Sequence, residues 1–298
     1  MIRLFVAISG VISALLGFYL YGFTEVPATV ADSQKRSMQK ESAGRPLFVG
    51  FVPQGNAVFM VRKWRPLADY LQKKLDMPVE MVFRSSYQEI IAALVNGQMD
   101  ICFTGAYMYV LASSEADIHP LVRRKKFGTS SYHSIIVVRK DSGIEFIEGL
   151  EGKSFAFASR ESTSGYLLPL AMMRQRGIEN PERFFSEVIH TETHDSALLA
   201  VFTKNVDAAA LSVTRWRPER PEIKDLKIIW KSDPLFLGPV SMRGDLDPGL
   251  AAAIKDAFLQ IGVSPDTMAL SQHIEIEGFE DAEDSEYDSV RKATKWLF

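Results

Sequence analysis

The sequence predicts an α/β protein built as two lobes, and three observations carry that prediction. Short β-prone apolar runs alternate with longer segments whose apolar residues recur at helical spacing, the pattern of sheets flanked by helices. The alternation comes in two series, one opening near Leu47 and one after Lys140-Asp141-Ser142-Gly143. The chain passes between the series near residues 138–141 and again near 230–235, which predicts two hinge crossings. One lobe then comprises residues 46–138 with 232–298, the other residues 139–231. A cleft between such lobes is where a small ligand is held and where hinge closure traps it.

The elements follow in order. Leu47-Phe48-Val49-Gly50-Phe51-Val52 is a first strand. From Val61 to Leu75, Trp64, Leu67, Ala68, Leu71 and Leu75 share one helical face. Val79 to Phe83 is a second strand, and Tyr87 to Val95 a helix stopped by Asn96-Gly97. Ile101 to Gly105 is a third strand running into a turn. Ser134 to Arg139 carries the run Ile135-Ile136-Val137-Val138, which suits burial on both faces. The second series holds a strand at Phe155–Ala158, a helix after Gly165, a helix from about Asp195 to Phe202 and a strand at Ala208–Ser212. Ile228-Ile229-Trp230 leads into the return crossing, Pro239 to Arg243 is again strand-like, and an amphipathic helix runs from Leu250 to Ile261. There is no internal repeat.

The N-terminus reads as an export signal. Arg3 precedes an uncharged run from Leu4 to Phe23, long for a signal core and close to the length that spans a bilayer. Thr29-Val30-Ala31 offers a small-residue cleavage site, so residues 1–31 are either a signal peptide or a retained membrane anchor. The polar segment 32–45 reads as a flexible tether, and the remainder is expected outside the cytoplasmic membrane. A formal net charge of −3 leaves no basic footprint for nucleic acid. The chain has one cysteine, Cys102, so no internal disulfide can form, and no Cys/His cluster has zinc spacing. No cofactor is implied.

The most informative stretch is Phe155-Ala-Phe-Ala-Ser-Arg-Glu-Ser-Thr-Ser-Gly-Tyr166. A strand breaks into Ser162-Thr163-Ser164-Gly165 and a helix resumes. Hydroxyls and outward N–H groups at the positive end of a helix dipole suit an oxyanion or a neutral oxyacid. An ordinary Ser/Thr N-cap would use the same residues, and the turn alone does not choose.

Further residues resemble the phosphonate/phosphite/phosphate-binding (PhnD-like) periplasmic receptors over roughly residues 46–263. They are Gly50-Phe51-Val52-Pro53, Pro66-Leu67-Ala68-Asp69-Tyr70-Leu71, Tyr87, Asp100 with Gly105 and Tyr109, Ser162 to Tyr166, Thr193-His194-Asp195 and Val206-Asp207-Ala208. The resemblance implies a type II periplasmic binding protein, each lobe a sheet flanked by helices. It nominates Ser162, Thr163, Ser164, Tyr87, Tyr109 and His194 as ligand contacts. Arg215 stands where the family places polar contacts, in a loosely matching stretch. Two positions depart from the pattern. Ala106 replaces a proline that commonly follows the glycine, and Cys102 replaces a small apolar residue.

The bland alternatives are concrete. Tyr87 and Tyr109 would pack as aromatics, His194 and Asp195 would serve a helix start, Arg160 with Glu161 would be a solvated pair, and Asp207 would orient a turn. Arg123-Arg124-Lys125-Lys126 reads as a solvated basic face. Cys102 in a strand shares a face with Thr104, opposite Ile101 and Phe103. A buried thiol is usually a small hydrophobe. As the sole thiol of an exported chain it instead resembles the arsenite-sensing (AioX-like) branch of the family, with Cys102 bonding As(III) and the cradle holding its hydroxyls. The leading expectation is thus an arsenite sensor that signals to a membrane histidine kinase. The alternative is a phosphonate, phosphite or phosphate receptor serving an ABC permease. A hydrolase is disfavoured, because no Gly-x-Ser-x-Gly element surrounds Ser164 or Cys102.

Overall fold

A computed structural model describes residues 44–53, 57–126 and 128–297. The expectations for residues 1–31, and for most of the 32–45 segment, lie outside the described residues. Among the described residues, no helix is long and apolar enough to cross a membrane.

The strands sort into two main sheets. The first contains β1 (Leu47–Phe51), β2 (Val79–Phe83), β3 (Ile101–Phe103), β4 (Ile118–Lys125), β12 (Pro239–Arg243) and β13 (Gly278–Asp281), in the order β13-β4-β12-β3-β1-β2. β1 pairs in parallel with β2 and β3, while β12 runs antiparallel to β3 and β4. Helices α1 (Ala57–Leu75), α2 (Tyr87–Val95), α3 (Ala106–Glu115), α7 (Pro248–Leu259) and α8 (Pro265–Ile274) cover it. Met60, Trp64, Leu67, Ala68 and Leu71 are the buried face of α1, as the helical spacing requires. Trp64 stacks on Phe51 at 4.5 Å between ring centroids, and Phe103 joins the stack at 5.2 Å from Phe51.

The second sheet contains β6 (Ser134–Arg139), β7 (Ser154–Phe157), β8 (Glu187–His190), β9 (Ala208–Ser212) and β10 (Leu226–Lys231), ordered β10-β6-β9-β7-β8. A one-turn π-helical segment, Thr163–Leu167, leads into α4 (Leu168–Gln175); α5 (Pro181–Phe184) and α6 (His194–Phe202) complete this lobe. β6 lies between β9 and β10 with Ile135 to Val138 fully buried, so both faces are covered.

That placement corrects the first crossing. β6 is an interior strand of the second sheet, so the passage lies before Ser134 rather than at 138–141. The two passages pair with one another: β5 (Ser131–Tyr132) and β11 (Leu235–Phe236) form a short antiparallel ribbon, with Tyr132 opposite Leu235. The sequence also left β4, β8 and β13 unassigned. α9 (Asp288–Thr294) closes the chain, and Tyr287 and Val290 pack with Tyr107, Tyr109 and Leu167.

Candidate functional site

In sheets of this kind ligands bind beyond the carboxyl ends of the parallel strands. Here those ends meet. β1, β3 and β4 point the same way and deliver Pro53, Thr104-Gly105 and the Arg124 and Lys126 side chains to one edge. From the other lobe, β7 and β9 deliver Ser162-Thr163-Ser164 and Ser212 to Arg215. Between them lies a cavity of about 130 Å³, well below the few hundred Å³ of sites for larger organic ligands.

Four helical segments begin at this cavity. Tyr87 opens α2 behind the N-cap Ser86, Gly105 caps α3, Ser162 caps the Thr163–Leu167 turn, and His194 opens α6 behind Thr193. Each start presents N–H groups that the helix itself leaves unused, together with a positive dipole end. The Thr163 turn closes with the wide spacing of a π-helix, Leu167 N–H donating to Ser162 O at 3.0 Å, a geometry found often at functional sites.

The cradle is held from several sides. Ser162 Oγ accepts the Gly165 N–H at 3.0 Å, and Thr163 Oγ1 accepts the Tyr107 N–H of the opposite lobe at 2.8 Å. Both hydroxyls act as acceptors in those bonds, so their own protons remain available to a ligand. Ser134 O–H fixes the Ser164 carbonyl at 2.6 Å. Gly165 is required by packing, because a Cβ there would lie 2.4 Å from Ala158 Cβ and 2.9 Å from His194 Cε1.

His194 is poised as a neutral donor. Ser212 N–H points at its Nδ1 at 3.3 Å, which places the ring proton on Nε2, beside Ser162 Oγ at 3.4 Å. Withdrawal from water, with Arg215 adding to it, pushes its pKa down to about 4. Burial likewise raises Tyr87 to about 12, keeping its phenol a proton donor. Tyr132, from the hinge ribbon, lines the same cavity beside Thr163 and Ser164.

The basic run is no uniformly solvated face. It lies on and just after β4, where side chains alternate. Arg123 turns away, to Glu280 at 2.6 Å and to Glu286. Arg124 and Lys126 line the cavity instead. Arg124 donates to Thr104 O at 3.0 Å and Gly238 O at 3.2 Å, and among the described residues its buried Nε–H finds no acceptor. Arg215 also lines the cavity, 3.5 Å from Asp195, which Arg220 holds at 2.5 Å. Glu161 reaches the wall and accepts from Ser159, so it is no solvated partner of Arg160, whose guanidinium donates to Tyr166. Asp207 does orient a turn, accepting from Ser154 N–H and O–H at 2.9 Å each.

Two nominated residues lie elsewhere. Tyr109 is 1% exposed, donates to Asp284 and meets Tyr287 edge-on at 4.9 Å, so it anchors the C-terminal segment rather than the cleft. Cys102 is 0% exposed and sits mid-strand, where its side chain points at the helical layer and not over the strand end. It fills the space above Gly50, whose hypothetical Cβ would lie 2.9 Å from Sγ. Burial pushes the thiol up to about 12, the opposite of an activated thiolate. As(III) coordination by Cys102 therefore lacks both access and chemistry, and among the described residues no group of three metal-ligating side chains stands in for it. A Cys102→Ala protein should lose about 1–2 kcal/mol of stability to a small core void and keep its affinity for any ligand of the cleft within about twofold of wild type. Chemical denaturation and calorimetry check the two halves.

Residues 49–287 match the sequence model of the family described as the periplasmic phosphonate substrate-binding protein of ABC transporters. The chain is 27% identical over 248 residues to the phosphate-import protein PhnD of Mycolicibacterium smegmatis, covering 78% of this chain and 77% of that one. It is 26% identical over 262 residues to the phosphonates-binding periplasmic protein of Escherichia coli, covering 85% and 77%. The structure of PhnD1 from Prochlorococcus marinus in complex with methylphosphonate superposes with a TM-score of 0.76 at 21% identity, over 84% of this chain and 97% of that one. With two sheets joined by a paired hinge, and a sequence match that runs through both lobes, the chain belongs to the family of periplasmic phosphonate substrate-binding proteins of ABC transporters.

Proposed function

We propose that this protein captures a small phosphorus oxyanion (a phosphonate, phosphite or phosphate) in the periplasm and presents it to the permease of an ABC importer. The observation that carries the reading is the meeting of four helix starts, from both lobes, at one small cation-lined cavity. The names of the two relatives and the methylphosphonate in PhnD1 favour the same ligand class.

The capture is reversible and involves no bond making. Ser162, Thr163 and Tyr87 direct hydroxyl protons at the ligand oxygens, and the Nε2–H of His194 adds a neutral donor. Arg124, Lys126 and Arg215 supply the positive field. Because Thr163 already bridges to Tyr107 of the other lobe, an oxyanion seated there would tie both lobes together, and the ribbon of β5 and β11 is the natural pivot. An import role needs only that closed form to be recognised. Nothing at the cavity calls for a histidine kinase, and the buried Cys102 removes the ground for an arsenite sensor.

Calorimetric titration with phosphate, phosphite and methylphosphonate tests the reading, and at least one should bind with micromolar or tighter affinity. Thr163→Val should weaken that ligand about tenfold or more, since it removes one donor and leaves the Tyr107 N–H unmatched. Absence of binding by all three ligands would remove the proposal.

A further inference from the structure

The 130 Å³ cavity is not closed on every side. A second cavity of about 630 Å³ adjoins it, and Lys126, Tyr132, Thr214, Arg217 and Leu237 line both. That shared wall gives a substituent too large for the cradle a way out. Beyond it Trp216 and Pro218 offer apolar surface, and Glu219 stands at the exposed rim.

The charges at the wall are unbalanced. Arg217 is held by Glu275 at 3.3 Å, and the same carboxylate already serves Lys63 at 3.3 Å. Among the described residues, Lys126 has no carboxylate within ion-pairing distance, and the cations Lys63, Arg124 and Arg215 act on it more strongly than the carboxylate of Glu275. Of the acidic groups in the oxyanion cavity, Asp195 is committed to Arg215 and Arg220, and Glu161 to Ser159. We infer that the ligand carries a second anionic group, a carboxylate or a further phosphoryl, on the substituent of its oxyanion, and that Lys126 and Arg217 receive it. This inference rests on the oxyanion reading of the cradle. An ammonium-bearing substituent would enter a field of its own sign, whereas an anion would give Lys126 the partner it lacks. Partial burial and the adjacent cations already hold the Lys126 ammonium down to about 7, a strain that a bound anion would relieve.

The test is a calorimetric series on the full chain near neutral pH, using methylphosphonate, ethylphosphonate, phosphonoacetate, methylenediphosphonate and aminomethylphosphonate. Phosphonoacetate or methylenediphosphonate should bind about tenfold or more tightly than ethylphosphonate, the contribution of one charge-assisted contact. The better of the two tells carboxylate from phosphoryl. Aminomethylphosphonate should bind more weakly than ethylphosphonate. Lys126→Met should bring the ratio of anionic to ethyl ligand near one, and that ratio is read rather than either absolute affinity. The wild-type series stands alone if the variant fails to fold. Aminomethylphosphonate binding as well as or better than ethylphosphonate overturns the inference, as does a second anionic group that brings no gain. If phosphate, phosphite and methylphosphonate all fail to bind, the oxyanion reading has failed, and this inference falls with it.

Discussion

A Gly165→Ala protein should bind its oxyanion at least a hundredfold more weakly than wild type while remaining folded. The added methyl would stand 2.4 Å from Ala158 Cβ, 2.9 Å from His194 Cε1 and 3.0 Å from Ser162 Oγ. None of these is the loose end of a flexible side chain. Ala158 is fixed in the sheet edge, its N–H donating to Gly165 O at 3.0 Å, so the turn itself must move. Moving it breaks the Gly165 N–H bond that orients the Ser162 hydroxyl and displaces His194 Nε2, so two donors of the proposed site are misdirected. Each lost or misdirected contact to a charged ligand costs about 1.5–3 kcal/mol, and two of them exceed a hundredfold. The overpacking itself costs about 1–3 kcal/mol of stability, which a folded domain of this size survives. Calorimetry and a thermal melt read the two effects separately. Gly44→Ala, with nothing within 4 Å of the new methyl, is the neutral comparison. A Gly165→Ala protein that binds within threefold of wild type would remove the cradle from the binding site.

The sequence carried the lobes and the cradle because both rest on local signals. Ile135 to Val138 asks for burial on two faces, and β6 receives it. Ser162-Thr163-Ser164-Gly165 interrupts a strand with hydroxyls, and the helix start follows directly. What was misread depends on which part of a strand reaches the cleft. The alternation in β3 is as the sequence states, with Ile101 and Phe103 in one core cluster and Cys102 in the other. Neither face looks onto the cleft, however. Only the residues past the strand end do so, and these are Thr104 and Gly105. Tyr109 was misplaced for a related reason: its partners Asp284 and Tyr287 come from a C-terminal segment whose packing leaves no local trace. Arg124 and Lys126 were hidden inside a run of four cations, where charge suggests a solvated face. A period-two reading of 118–126 as a strand would have separated Arg124 and Lys126 from Arg123, the residue bound by Glu280 and Glu286. The first crossing moved because β6 was counted with the strands before it, although its apolar character already marked it as an interior strand of whichever sheet it joined.

Acid should cost this fold stability through His194, in a window that no carboxylate shares in full. In the unfolded chain the imidazole titrates near 6.5. In the fold, withdrawal from water and the neighbouring Arg215 hold it at about 4, with Asp195 opposing them. Above about pH 6.5 the ring is neutral in both states and contributes nothing. As pH falls from 6.5 toward 4, the unfolded chain takes up a proton that the folded chain refuses, so stability declines. Below 4 both states are protonated and the loss levels off. The shift would amount to on the order of 3 kcal/mol for a ring wholly cut off from solvent, and partial solvent access reduces it to on the order of 2 kcal/mol. The depressed carboxylates act lower: Asp195 is held below its usual value by Arg215 and Arg220 against the cost of burial, and Glu275 by Arg217 and Lys63 down to about 2. The Glu275 contribution persists in a His194→Gln variant and cancels when the two proteins are compared, whereas Asp195 also feels the imidazolium, an effect confined to the acid end of the range. Glutamine can still accept from Ser212 N–H and donate toward Ser162, so the fold should tolerate it. Urea denaturation of both proteins between pH 7 and 4 should show the wild type losing about 2 kcal/mol relative to the variant, nearly all of it below pH 6.5. The neutral ring has a second consequence: His194→Gln should leave the shape of the pH profile of oxyanion affinity near 6.5 unchanged, because the donor at Nε2 does not change its charge there, while Lys126 and the ligand's own second ionisation act alike in both proteins. Parallel stability curves for the two proteins, or an affinity profile that the substitution reshapes near 6.5, would mean that His194 titrates as an ordinary exposed histidine and does not form the neutral wall of the cradle.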